Sequence, residues 1–240
     1  MASDKTLELI ASITSAETET GLLQRMKRVA RSMGYEHVLF GIEVRVPAVG
    51  PVQHISSAYP VDYQRLYQHR RFLERDPTVA HCRKSAEALA WHEEMYSEHS
   101  YEIMEEAASY GLAHGLSVPV HVSRDVVSML SLARDRAFES DAERTRVMAT
   151  ASVLANCVHV AASRLVLPTL AASGRPHLTR RELQCFQMVA LGKSNWDIGH
   201  ALHISSETAG VHVKHVLRKL GVSSRMQAVA IGVALGIIKP

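Results

Sequence analysis

Between Thr179 and Leu235 no stretch alternates apolar with polar residues; apolar positions recur three and four apart, a spacing that confines this part of the chain to helices. Residues 179–191, 195–202, 206–220 and 224–235 read as four short helices joined by Gly192-Lys193-Ser194, His203-Ile204-Ser205 and Gly221-Val222-Ser223. Thr179, with Glu182 three residues later, has the form of a capping box, and Ser206 is placed to cap the third helix. Between Trp196 and Leu220 the apolar residues Ile198, Ala201, Leu202, Ile204, Val211, Val216 and Leu220 suit a helix, a short turn and a second helix. Such a helix-turn-helix places one helix inward against its neighbours and leaves the other with an outward side.

Charge gives that outward side a use. Residues 174–240 hold nine lysines or arginines against three acids, Glu182, Asp197 and Glu207, whereas residues 1–173 hold eighteen against twenty-one. A local basic excess is what a phosphate-binding surface requires, because each neutralised phosphate releases condensed counterions; a solvated basic face without a partner is the alternative. Thr208, His212, Lys214, His215, Arg218 and Lys219 fall on the outer side of the second helix and include donors for phosphates and base edges. The pairs His200/His203 and His212/His215 have helical spacing, but nothing completes a coordination set, so no metal is expected. Cys82, Cys157 and Cys185 are odd in number and lack a CxxC spacing, which argues for reduced packing residues.

The segment LVLPTLAASGRPH, with two prolines, a glycine and small residues, reads as a linker. Upstream of it, residues 18–33 carry Leu22, Leu23, Met26, Val29, Ala30 and Met33 at helical spacing, stopped by Gly34. Residues 37–45 and 53–58 are β-compatible runs across the turn PAVGP, and residues 116–122 and 126–133 form a second pair across Ser123-Arg124-Asp125. Helical patterns occupy 61–72, 77–85, 100–110 and about 141–165. The fold expected is therefore an α+β or α-β-α sandwich with an antiparallel sheet, followed by an all-α four-helix domain. There is no GxGxxG and no regular strand-helix alternation, which disfavours a dinucleotide-binding fold. At 240 residues the chain suffices for two domains, and 47% hydrophobic with 21% charged residues is ordinary for a soluble chain. No eighteen-residue apolar run occurs, and Asp4 and Glu8 stand where a signal peptide would carry basic and apolar residues; a cytoplasmic protein without membrane contact is expected.

Tyr59, Tyr63, Tyr67, Asp76, Thr78 and Trp91 put aromatics and one acid within about thirty residues, a mixture able to line a pocket for an amphiphile. Aromatics at helical spacing are also ordinary core, and an Asp before Pro is an ordinary helix N-cap. Catalysis has little support: there is no GxSxG elbow, no HExxH, and no cysteine with an assignable histidine, so no catalytic residue is assigned.

Two resemblances narrow these alternatives. The stretch LTRRELQCFQMVALGKSNWDIGHALHISSETAGVHVKHVLRKLGVSSRMQAVAIGVALGII resembles the C-terminal DNA-binding domain of LuxR-type regulators throughout its length. That likeness implies that residues 206–219 enter the major groove, and it adds Lys193 and Ser206 to the expected contacts; Phe186, Gly199, Ala209 and Gly210 depart from the usual pattern. Gly210 removes a side chain able to read a base, and a glycine inside an exposed helix costs about 1 kcal/mol relative to alanine. The arrangement YPxxYxxxY, DPTVxHC, Trp91 and GLxxGLSVPVH is similar to the acyl-homoserine-lactone-binding domain of the same family over residues 5–165. By this resemblance Asp76, helped by Thr78, accepts the ligand amide N–H; Tyr59 and Ser131 donate to the acyl carbonyl; Tyr67 and Trp91 wall the headgroup. Gly115 matches a pocket-side glycine, and Tyr96, Ala107 and Met129 match cavity-lining positions. Tyr63 stands where the family usually has a tryptophan that donates to the lactone carbonyl, and Gln64 where a relative has arginine.

The resemblance implies an autoinducer-binding and dimerisation domain over 1–166, a linker over 167–176 and the helix-turn-helix domain over 177–240. It implies a quorum-sensing transcriptional regulator, not an enzyme, that takes an N-acyl-homoserine lactone, no cofactor, and a palindromic DNA operator as a homodimer. The alternative is a regulator of the same type that answers a non-lactone ligand or acts without one. A two-component response regulator would need clustered N-terminal acids and a parallel sheet, which the sequence does not offer.

Overall fold

The structure, a computed structural model, describes residues 4–46, 50–123, 125–173 and 176–238. Parts of two expected turns and of the linker therefore lie outside the described residues, at 47–49, Arg124 and 174–175. Two compact units are present, residues 1–43 with 53–168, and residues 44–52 with 169–240.

The first unit is built on a five-stranded antiparallel sheet. Helices α1 (Asp4–Ala11) and α2 (Glu19–Ser32) precede strands β1 (His37–Val46) and β2 (Gly50–Ser57). Next come α3 (Val61–His69), α4 (Pro77–Lys84), a two-residue strand β3 (Leu89–Ala90) and α5 (Tyr101–Ser109). The last elements are β4 (His114–His121), β5 (Val126–Arg134) and the long helix α6 (Asp141–Ser173). The strand order β2-β1-β5-β4-β3 puts β1 and β5 at the centre. Register pairs Ser117 with Ser131 and Gly115 with Ala133 across β4 and β5, while Leu89 pairs with Ser117 across β3 and β4.

The period of two in each strand sorts the side chains into two layers. Val38, Phe40 and Ile42 of β1, and Leu130 and Leu132 of β5, are fully buried. On that side Ser128 of β5 is hydrogen-bonded to His159 Nδ1 of α6 at 2.7 Å, which places α6 behind the sheet. The intervening residues Leu39, Gly41 and Glu43 of β1, and Val127, Met129 and Ser131 of β5, line a cavity roofed by α3, α4 and α5, which Ile42 and Ser128 also border. The predicted sandwich is thus observed, with the cavity between its sheet and one helical layer. Helix α6 turns Val147, Ala151, Leu154, Ala155, Val158, Ala161, Ala162 and Val166 inward at three-and-four spacing. It is long and apolar enough to cross a membrane, yet half of its most apolar window is buried within the protein.

Its start is fixed by Arg134, whose buried guanidinium pairs with Glu143 at 2.9 Å and lies over the rings of Tyr35 and Phe138. Its end departs from expectation: the helix runs to Ser173 where the proline-containing segment predicts a break at 165. One proline removes one backbone donor, which a helix can tolerate, and Val166 and Leu170 on either side of it are both buried.

The second unit contains α7 (Arg180–Ala190), α8 (Asn195–Leu202), α9 (Ser206–Lys219) and α10 (Arg225–Ala234), with α9 packed on α7, α8 and α10. Its core joins Cys185, Phe186 and Val189 to Ile198, Ala209, Val213, Val216, Leu220, Ala228, Leu235 and Ile238. Thr179 and Glu182 form the predicted capping box, and Ser194 with Asp197 forms a second at the start of α8. The cap of α9 is Ser205, not Ser206: its side chain accepts the Thr208 amide, while the Ser206 hydroxyl donates to Glu207. The inward face is consequently Ala209, Val213 and Val216, and Val211, expected inside, is half exposed on the outer face. Ala201, also expected inside, is exposed.

Three glycines allow the close packing. A Cβ on Gly199 would lie 2.8 Å from the Ile204 carbonyl oxygen, so the turn between α8 and α9 closes only against a bare backbone. On Gly210 it would meet Asn195 Nδ2 at 3.0 Å; this glycine faces the start of α8 and not open solvent. On Gly232 it would strike the Phe186 ring at 2.5 Å, which accounts for a phenylalanine at 186: the ring fills the room that a glycine opposite leaves.

Candidate functional site

The cavity of the first unit has a volume of about 250 Å³. Tyr59, Tyr63, Tyr67, Asp76, Thr78, Trp91, Tyr96, Ala107, Met129 and Ser131 all line it. Tyr59, Tyr63 and Ala107 pack together with Leu112 and Ala133, and Tyr67, Trp91, Tyr110 and Leu39 rest against them. Tyr63 and Tyr67, one turn apart on α3, share a helical face, and Tyr59, two residues before the helix begins, continues the row, with tilted rings whose centroids lie 6.3 Å and 5.9 Å apart along it.

Asp76 is the polar centre. It is buried and caps α4, taking both the amide of Thr78 at 2.8 Å and its hydroxyl at 2.7 Å on Oδ1. The Tyr67 hydroxyl donates to Oδ2 at 2.8 Å. A carboxylate has about four acceptor sites, so three protein donors leave room for one more. The N-cap reading and the pocket reading of this residue therefore coexist, since the helix cap uses one oxygen and the cavity side the other.

Around it the phenols stay protonated. Burial first, then the Tyr63 and Asp76 charges, push Tyr59 well above its usual range, with the Ser131 hydroxyl pulling the other way. Burial and then Asp76 raise Tyr63, Tyr67 and Tyr96 as well. The same two causes push the Cys82 thiol up to about 12, which leaves it without thiolate character at neutral pH. The Tyr59 hydroxyl is buried and meets no partner at ordinary hydrogen-bond geometry among the described residues.

A second chain of hydrogen bonds enters from β4. Trp91 Nε1, which can only donate, bonds Ser117 Oγ at 2.9 Å, and Ser117 Oγ lies 2.8 Å from Ser131 Oγ. Gly115 does not itself line the cavity. It lies behind Trp91, whose amide donates to the Gly115 carbonyl at 2.8 Å, and a Cβ there would lie 2.7 Å from the indole ring and 2.5 Å from the Leu132 carbonyl oxygen. The glycine leaves the indole the room it occupies against β4.

Sequence reasoning missed the wall supplied by the sheet: Leu39, Gly41 and Glu43 of β1, Gln53, Ile55 and Ser57 of β2, and Val127 of β5 also line the cavity. Their alternation was the available signal, since every second residue of a strand shares a face. Gln64 lines it too, its amide donating to the Tyr59 carbonyl at 2.7 Å.

On the second unit, Thr208, Lys214 and Arg218 are exposed along α9, as is Lys193 in the turn before α8, while Ser206, His212, His215 and Lys219 are half-buried. The Lys219 ammonium is held by Glu182 at 2.7 Å and by the His177 carbonyl at 3.1 Å. His215 Nδ1 lies 3.8 Å from the other Glu182 oxygen. Burial alone would raise the Glu182 carboxyl, but the hydrogen bonds from Lys219 and Thr179 and the Lys219 charge outweigh it and bring it to about 2. No group of three or more potential metal ligands occurs among the described residues.

Comparison with known proteins gives the two units an ancestry. Residues 18–162 match the autoinducer binding domain family, and residues 176–231 match the family described as bacterial regulatory proteins, luxR family. The transcriptional activator protein SolR of Ralstonia nicotianae is 31% identical over 224 residues, covering 93% of this chain and 94% of that protein. The quorum-sensing regulator RhlR of Pseudomonas aeruginosa is 26% identical over 218 residues, covering 91% and 90%. In fold, the crystal structure of Escherichia coli SdiA superposes with a TM-score of 0.67 at 22% identity, covering 98% of both chains. Two family matches in this order, and a relative alike over nearly its whole length, show that the chain belongs to the LuxR family of quorum-sensing transcriptional regulators, with an autoinducer-binding domain ahead of a helix-turn-helix DNA-binding domain.

Proposed function

We propose that the chain is a cytoplasmic regulator that buries an N-acyl-homoserine lactone in the cavity of its first unit and, as a homodimer, binds a palindromic operator through α9. One observation carries the ligand reading. A buried carboxylate with an acceptor site to spare, Asp76, sits among neutral phenols in a largely apolar cavity, one of which, Tyr59, meets no partner at ordinary hydrogen-bond geometry among the described residues. A buried donor left unpaired costs about 1–3 kcal/mol; a ligand acyl carbonyl would satisfy the Tyr59 hydroxyl and a ligand amide N–H the spare acceptor site of Asp76.

In this reading Asp76 takes the amide N–H, with Thr78 and Tyr67 fixing its two oxygens. Tyr59 and Ser131 donate to the acyl carbonyl. The bond from Trp91 to Ser117 directs the Ser117 proton toward Ser131, which frees the Ser131 proton for the ligand. Tyr63 donates to the lactone ring carbonyl, Tyr67 and Trp91 wall the headgroup, and Tyr96, Ala107 and Met129 meet the chain. Gly115 acts indirectly, by seating Trp91. On DNA, Lys193, Thr208, Lys214 and Arg218 contact phosphates or bases directly, Ser206, His212 and His215 flank them, and Lys219 acts chiefly by holding Glu182.

The domains proposed are 1–166 for ligand and dimer, 167–176 as connection and 177–240 for DNA. Ligand burial would stabilise the first unit by mass action, about 2.7 kcal/mol at a hundred times the dissociation constant. Thermal midpoint and operator binding of the full chain, measured across acyl-homoserine lactones of graded length, test this. A chain-length-dependent rise in midpoint with matching gain in operator binding is expected; no shift, from protein that binds DNA regardless, would sink it. A second reading, a non-lactone ligand, is favoured by Tyr63, whose phenol also donates but is shorter than an indole and carries its proton on a rotating hydroxyl, which weakens the lactone contact. SdiA, alike in fold, has been solved in complex with octanoyl-rac-glycerol, and an acyl glycerol therefore belongs in the panel.

A further inference from the structure

The cavity has a second polar end. Glu43 of β1 accepts Gln53 Nε2 at 2.6 Å and Arg83 Nη2 at 2.7 Å on the same oxygen, and all three residues line the cavity. Glu43 is largely buried, its side chain 13% exposed, while that of Arg83 is one-third exposed. Arg83 Nε adds a third bond to that Glu43 oxygen at 3.2 Å, so every hydrogen bond among these three residues falls on Glu43 Oε2 and none uses Glu43 Oε1 or Arg83 Nη1.

Three elements fix the distance from this cluster to Asp76 and the tyrosines. Asp76 caps α4 and Arg83 lies in its last turn, seven residues on, or about 10 Å at the rise of a helix. On β1, Leu39 rests on the tyrosine cluster and Glu43 comes four residues later, about 13 Å along a strand. On β2, Gln53, Ile55 and Ser57 run the same way toward Tyr59. A ligand whose amide sits on Asp76 therefore points the far end of a medium-length chain at Glu43 and Arg83.

A methyl terminus there would strip water from a carboxylate and a guanidinium and return no hydrogen bond, a cost that polar groups impose on any apolar neighbour. A carboxylate terminus would meet Glu43 as a like charge. A hydroxyl fits both, donating to Glu43 Oε1 and accepting from Arg83 Nη1.

We propose that Glu43, Arg83 and Gln53 form a tail subsite that selects acyl ligands ending in a hydroxyl. This rests on the cavity being the ligand site, and its test separates the two claims. Octanoyl-homoserine lactone and its ω-hydroxyoctanoyl analogue are titrated into the full chain, the Glu43→Leu/Arg83→Leu double variant, which leaves no lone charge behind, and Asp76→Asn. The wild type is expected to bind the hydroxyl-ended ligand about tenfold tighter, the increment of one hydrogen bond to a charged group, and the double variant to prefer the methyl-ended one. Equal or reversed preference in the wild type, with binding still lost in Asp76→Asn, overturns the tail subsite and leaves the ligand site standing. Absence of binding by both lactones overturns the two together. The wild-type comparison decides the matter even if the double variant fails to fold.

Discussion

Asp76 serves two structures at once: the cap of α4 and the polar centre of the cavity. An asparagine keeps one acceptor for the Thr78 amide but turns the other position into a donor facing the Tyr67 hydroxyl. Asp76→Asn is expected to lower ligand-free stability by about 1 kcal/mol and to weaken lactone binding at least tenfold, as read by thermal denaturation and titration. A variant that keeps wild-type affinity would remove Asp76 from the ligand's contacts. Gly199 makes a different point about single residues. On an open helix glycine to alanine gains about 1 kcal/mol, but here the added methyl must displace the Ile204 carbonyl at 2.8 Å. Gly199→Ala should therefore destabilise the helix-turn-helix unit by about 1–3 kcal/mol in thermal melts, and a gain in midpoint would show that the turn yields freely.

At the level of elements, Glu182 pins the start of α7 to the end of α9. Its Oε2 accepts the Thr179 amide at 2.7 Å and the Lys219 ammonium at 2.7 Å. The folded carboxyl titrates at about 2 against 4.5 unperturbed, so its contribution is complete above 4.5 and is lost as pH falls from there toward 2. The size is about 3 kcal/mol at most, from the free energy of a pKa shift. Melts of the wild type and of Glu182→Gln across that window check it: the wild type should lose stability as acid is added, and the variant, already low, should lose less. Parallel acid profiles would assign the tether no part in stability. The same pin decides which cations on α9 are free, since Lys214 and Arg218 are exposed while Lys219 is engaged.

For the molecule as a whole, DNA affinity should depend on salt, and each phosphate contact removed should lower the log–log slope by about one. Lys214→Ala or Arg218→Ala is expected to shift the slope this way at a phosphate, or to relax sequence preference at a base; Lys219→Ala should act mainly through stability. Equal slopes and unchanged sequence preference for all three and the wild type would move the interface off α9. Much of this architecture was legible beforehand. The three-and-four spacing of the last sixty residues, the Thr179–Glu182 capping box and the strand pairs around short turns are local patterns, and local patterns report the elements they build. The aromatic face at 59, 63 and 67 and the cap at Asp76 were legible for the same reason, and family resemblance named what they are for.

Other features depend on neighbours distant in sequence. The passage of α6 beyond its proline, the outward turn of Val211 and the seat of Trp91 on Gly115 arise from packing that periodicity does not encode. The fit of Phe186 to Gly232 joins residues 46 apart, and the meeting of Glu43 with Arg83 joins residues 40 apart. The sequence by itself determined most of the elements, their order and the family, but not α1 or the two-residue strand β3 that makes the sheet five-stranded. Only the tertiary structure decided which side chains share the cavity and which polar groups close its far end, because those contacts join strands to helices across distances where one-dimensional patterns carry no register.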